Sequence, residues 1–93
     1  MPLSVLGPDD RAVVTLDGED VALFRVGDAV HAFANACPHS GNPLAEGEIG
    51  GTTLTCVYHL WRFDLETGAC LAGEKPATRY ETTIDGPEIV VVL

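Results

Sequence analysis

Short runs of alternating apolar and polar positions open the chain and predict strands over residues 12–16, 21–26 and 29–34. Asp17-Gly18 and Gly27-Asp28 separate these runs as tight turns. In the second run Ala22, Phe24 and Val26 share a face by the period of two, and Arg25 on the opposite side predicts that the other face is solvated. Strand texture returns over residues 78–84, turns at Asp85-Gly86-Pro87 and ends in Ile89-Val90-Val91-Val92-Leu93. Between Ala36 and Pro76 short apolar pieces alternate with Ser40-Gly41-Asn42-Pro43, Glu46-Gly47 and Thr67-Gly68, which predicts a loop-rich insert. No segment carries a capped, 3.6-periodic run of useful length and no repeat is visible, so the predicted fold class is all-β, an antiparallel meander bracketing an insert.

Length changes that picture only by limiting it: 93 residues make one domain, with no room for a second catalytic unit. A chain this small buries roughly 60 to 65% of its unfolded surface, so a metal or cluster joining distant segments would add useful stability. No stretch approaches the roughly 20 apolar residues of a membrane span, and Met1 to Arg11 has no basic region followed by an apolar run. The expectation is a soluble, cytoplasmic protein with no membrane partner. Three cysteines, an odd number without an export signal, argue against a disulfide framework and for ligation of a metal or cluster. The formal charge of −9, from 14 acidic and 5 basic residues, repels nucleic acid and favours partners with basic docking faces. A monomer forming transient complexes is expected.

All three cysteines lie in the insert, and two of them head Cys/His pairs: Cys37-Pro38-His39 and Cys56-Val57-Tyr58-His59, separated by Ser40 to Thr55. A Rieske [2Fe-2S] centre needs two thiolates on one iron and two imidazoles on the other, and these pairs supply that set. The same four side chains also suit tetrahedral zinc, although zinc fingers usually group cysteines with cysteines and histidines with histidines. Colour or iron content separates the two readings. With neutral imidazoles, an oxidised Rieske cluster and its ligands sum to about zero charge against about −2 for an all-cysteine cluster, so the former accepts an electron more easily. The third histidine, His31, sits in a predicted strand, is expected to be a surface or hydrogen-bonded residue, and receives no role.

The run Cys37-Pro38-His39-Ser40-Gly41-Asn42-Pro43-Leu44, with Gly47, Cys56 to His59, Trp61, Phe63-Asp64 and Thr67-Gly68, resembles Rieske-type ferredoxins almost position by position, along essentially the whole chain. The resemblance implies the Rieske (ISP) fold, an antiparallel β-sandwich base with a small cluster-binding lobe inserted. It implies a single domain over 1–93 with a cluster-binding subdomain at about 36–76. It further implies one [2Fe-2S] cluster per chain, Cys37 and Cys56 on one iron, His39 and His59 on the other, and electron exit on the histidine side. The activity implied is one-electron carriage from a flavin-containing reductase to a terminal oxygenase, without catalysis by this chain. His59-Leu60-Trp61 resembles the ferredoxins of toluene-type monooxygenases, while the small subunit of an assimilatory nitrite reductase is the alternative that shares the fold. A mononuclear iron site of the ring-oxygenase kind is excluded, because His31 alone cannot complete a two-histidine, one-carboxylate triad.

Departures from the respiratory members of the family carry information. Where those place Gly-Ser-x-Tyr after the last ligand, this chain has Leu60, Trp61, Arg62 and Phe63, so both hydroxyl donors to the sulfurs are missing and the expected potential is near the low end, about −150 mV. Their loop-bracing cysteines are replaced by Gly41 or Asn42 and by Val57 or Tyr58, and the spare Cys70 is expected to be an inert small apolar residue. Gly73-Glu74-Lys75-Pro76-Ala77 falls where the family has a proline-containing loop over the cluster. Trp61 and Tyr58 are expected to pack near the cluster, with docking as the second possibility for Trp61. Arg62 and Lys75 are expected to flank the cluster as solvated charges.

Overall fold

The computed structural model describes residues 1–38, 41–57, 60–73 and 75–93. Nine strands run in chain order: β1 Arg11–Leu16, β2 Glu19–Val26, β3 Ala29–Ala34, β4 Glu48–Gly50, β5 Thr53–Thr55, β6 Arg62–Asp64, β7 Cys70–Ala72, β8 Arg79–Asp85 and β9 Glu88–Val92. They form two antiparallel sheets, a five-stranded one ordered β1-β2-β3-β8-β9 and a four-stranded one ordered β4-β5-β6-β7. Asp17 and Gly18 both have positive φ (51° and 80°), the backbone that matches a two-residue hairpin to strand twist. No described helix is long and apolar enough to cross a membrane.

The five strands expected from the pattern are present, and the insert differs from expectation. Its β4 to β7 are three residues each, too short to display alternation, so the sequence shows only the turns between them. The second face of β2 also departs from the expected solvated side. Val21 and Leu23 are fully buried with Leu6, Val30, Ala32 and Ile89, and Arg25 is exposed only beyond that cover. The cover comes from the chain ends: Ile89 N–H donates to Met1 C=O (2.6 Å), Leu3 N–H donates to Pro87 C=O (2.8 Å), and the Met1 ammonium donates to Ile89 C=O (2.8 Å). That clasp carries β9 and the 3-10 turn Leu3–Leu6 over the sheet.

The first face of the base meets the insert. Ala22, Phe24 and Phe33 pack with Cys37, Leu44, Leu54, Cys56, Phe63, Leu65 and Ala77 in one core, with Phe24 and Phe33 edge-to-face at 6.2 Å. Two arginines on base strands reach across to backbone carbonyls of the insert. Arg11 Nη1 donates to Ala45 O (2.9 Å) and Gly47 O (2.6 Å), its guanidinium lying 5.6 Å from the Phe24 ring centre. Arg79 Nε donates to Leu65 O (3.1 Å). Asn35 Oδ1 accepts from Ala45 N–H (2.9 Å), so the 3-10 turn Leu44–Glu46 is held from two directions. These clamps fix the insert on the base, and charged donors make them stronger than neutral hydrogen bonds.

Candidate metal centre

Cys37 follows β3 and Cys56 follows β5, and both thiols are about 99% buried in the core between the sheets. Each cysteine opens a six-residue segment closed by the same two backbone hydrogen bonds. Cys37 N–H donates to Asn42 O and Gly41 N–H to Cys37 O, both at 2.7 Å; Cys56 N–H donates to Trp61 O and Leu60 N–H to Cys56 O, both at 2.8 Å. The fifth residue of each is left-handed, Gly41 at φ 75° and Leu60 at φ 60°. Two unlike sequences thus reach one backbone clip with a buried thiol at its head. His39 and His59, with Ser40 and Tyr58, fall inside these segments and lie outside the described residues. Two buried thiols on matched clips, each clip enclosing one histidine in sequence, fit a cluster that takes two sulfur and two imidazole ligands.

Leu60 is unusual in this setting. A left-handed backbone costs a residue with a Cβ about 1–2 kcal/mol, and Leu60 is also 68% exposed. The greater unfolded-state freedom of glycine takes back roughly 0.5–1 kcal/mol. Leu60→Gly should therefore stabilise the protein by about 0.5–1 kcal/mol, read as a thermal midpoint higher by about 2–8 °C.

Trp61 is half-buried, packed against the shared core and tilted on Phe63 with ring centres 6.4 Å apart, which favours packing over docking. Cys70 is half-buried against the same cluster. Arg62 and Lys75 are exposed. His31 is not the surface residue that is one of the two expectations for it: it pairs with Phe24 across β2 and β3, is only 6% exposed, and its Nδ1 has no partner among the described residues. It lines a cleft of about 280 Å³ with Asp28, Arg79, Thr82 and Ile84. Burial first, and the Arg79 guanidinium second, lower its pKa from 6.5, while Glu66 and Asp64 pull weakly the other way. The native state thus prefers neutral His31, and its stability contribution, present above pH 6.5, is lost as pH falls through 6.5 towards the depressed native value. Thermal midpoints of wild type and His31→Gln should converge over that window, with a slope of at most about 1.4 kcal/mol per pH unit for one proton.

Sequence reasoning missed the clamps. The available signal was an arginine at the start of β1 and another at the start of β8 in a chain with only five lysines and arginines.

A β base, an inserted small sheet and two thiol-headed clips make the frame of a domain built to hold a metal or cluster between two loops. The chain matches the Rieske [2Fe-2S] domain family over residues 1–90, and it belongs to that family. It is 31% identical over 84 residues to the ferredoxin component of the naphthalene 1,2-dioxygenase system of Pseudomonas aeruginosa, covering 86% of this chain and 79% of that one. Among solved structures, the ferredoxin of carbazole 1,9a-dioxygenase from Nocardioides aromaticivorans IC177 superposes with a TM-score of 0.86 at 34% identity, over 98% of this chain and 91% of that one. A shorter match, 46% over 48 residues, joins half of this chain to 4beta-methylsterol monooxygenase of Methylococcus capsulatus, of whose length it spans 13%. The two ferredoxins align with most of this chain and are electron-carrier components of their dioxygenase systems, and the small subunit of a putative nitrite reductase covers the whole chain with a TM-score of 0.84 at 26% identity.

Proposed function

We propose that the chain is a cytoplasmic Rieske ferredoxin that carries single electrons from a flavin-containing reductase to the terminal oxygenase of an aromatic-ring oxygenase system. In this reading residues 1–93 form one domain with a cluster-binding part at about 36–76. Cys37 and Cys56 hold one iron, and His39 and His59 hold the other. The observation that carries the ligand assignment is the matched pair of backbone clips, each with a buried thiol at its head and one histidine within its six residues. Bound there, the cluster supplies a reversible one-electron couple.

The chain's own contribution is to shape and place that couple. The clips hold the two thiols inside the core, the arginine clamps keep the insert from shifting on the base, and Leu60 and Val57 stay exposed beside the second ligand pair. Apolar contacts there suit a brief complex, while the acidic surface steers a basic partner face.

The test is absorption and EPR of anaerobically purified protein before and after dithionite, with metal analysis. A coloured protein with about two irons per chain and an EPR signal appearing on reduction is the expected result. A colourless protein holding zinc overturns it. Redox titration should give a midpoint near about −150 mV, and a value above roughly +100 mV overturns the low-potential assignment.

A further inference from the structure

The second ligand segment rests on a contact that involves no ligand. Gly73 follows β7 with φ 143°, and a Cβ built on it would stand 2.5 and 2.6 Å from Trp61 Cδ2 and Cε3 and 2.9 Å from Cys70 Sγ. No real Cβ sits at such distances, so the indole lies directly on the glycine backbone. The same Trp61 closes the Cys56 clip through its carbonyl, which accepts the Cys56 N–H at 2.8 Å. Its ring leans on Phe63, whose β6 pairs with β7, and the β6–β7 register shifts between Arg62 and Phe63. Ring, clip and glycine form one stack from the residues after β7 to the Cys56 backbone.

We infer that Gly73 is a positioning residue for the cluster: through the indole of Trp61 it sets the pitch of the Cys56 clip and so tunes the electronic environment of the second ligand pair. Cys70 walls the same seat and limits where the ring can go. The inference rests on the cluster assignment above. A methyl at position 73 pushes on the ring, which is packed against Phe63 and the shared core, and a displaced indole pulls on the Trp61 backbone whose carbonyl receives the Cys56 N–H. Hydrogen bonding and geometry around a ligating sulfur set its potential, so the displacement is felt at the redox centre.

Gly73→Ala also strains the backbone, because φ 143° disfavours any Cβ, so the test must separate strain from contact. A double-mutant cycle with Trp61→Ala does this on the cluster-loaded protein, with midpoint potential and the g values of the reduced EPR spectrum as readouts. Gly73→Ala should shift both outside experimental scatter, whereas Leu71→Ala, an exposed neighbour on β7, should leave both unchanged. In the Trp61→Ala background the added methyl meets no ring, only Cys70 Sγ and its own backbone strain remain, and Gly73→Ala should shift both readouts by clearly less than it does with the indole present. Trp61 is the one tryptophan in the chain, so its emission should change in Gly73→Ala and not in Leu71→Ala.

If Gly73→Ala takes up no cluster while the double variant does, the contact is supported. If both fail to load, backbone strain is responsible and the inference is overturned. Equal shifts in both backgrounds, or a Gly73→Ala protein indistinguishable from wild type, overturn it as well. A colourless wild type would instead defeat the cluster assignment, so the two failures are distinguishable.

Discussion

Cys56→Ser should give a colourless protein with no EPR signal after reduction and a much lower thermal midpoint. Serine is close to isosteric, so the clip bonds from Cys56 N–H to Trp61 O and from Leu60 N–H to Cys56 O stay available, and the loss is specific to the sulfur. A hydroxyl is neutral and hard where the cluster needs a soft anionic ligand. Its burial in a site about 99% excluded from water then carries a desolvation penalty of its own. In so small a domain, cluster binding is part of folding, so its removal should cost more than about 3 kcal/mol. At about 4–8 °C per kcal/mol, that is a fall of at least roughly 12 °C. Cys70→Ser is the matched comparison: the protein should stay coloured, because Cys70 only walls the indole.

Gly47→Ala should be strongly destabilising for a single added methyl. The new Cβ would lie 2.6 Å from Thr55 O, 2.9 Å from Leu54 Cδ1 and 3.1 Å from Leu44 O. Two of these are backbone atoms that cannot rotate away, and Thr55 immediately precedes Cys56. Overpacking of this kind costs about 1–3 kcal/mol, and the upper end is expected because the Gly47 carbonyl is also an Arg11 acceptor (2.6 Å). Urea unfolding should show a lower midpoint with an unchanged slope, and an unchanged midpoint would contradict the close approach.

The legibility of this fold divides by element length and by kind of contact. β1, β2, β3, β8 and β9 each run five to eight residues, enough for alternation to show, and turn residues such as Asp17-Gly18 punctuate them. β4 to β7 have three residues each, so no period develops, and their pairing is decided by tertiary contacts such as Leu54 and Phe63 entering the common core. Arg25 is one charge at a strand end and does not represent its face, because Val21 and Leu23 on that face are covered by the chain's two ends. The cysteines of the candidate site were legible because spacing and residue type carry metal chemistry directly. The left-handed Leu60, the seat of Trp61 on Gly73 and the buried His31, whose Nδ1 has no partner among the described residues, were not, since each depends on which segments meet across the fold.

The inward-facing arginines have an effect at a distance. Arg11 and Arg79 are committed to carbonyls of the insert, so Arg25, Arg62 and Lys75 are the cations left at the exposed surface. No described acidic side chain is buried, so the outside of the molecule is close to unipolar. Internal cohesion and external repulsion are thereby drawn from the same few cations. A partner with a basic face should be captured from afar in dilute buffer, and its association rate should fall steeply as added salt shortens the reach of the field to about 8 Å at physiological ionic strength.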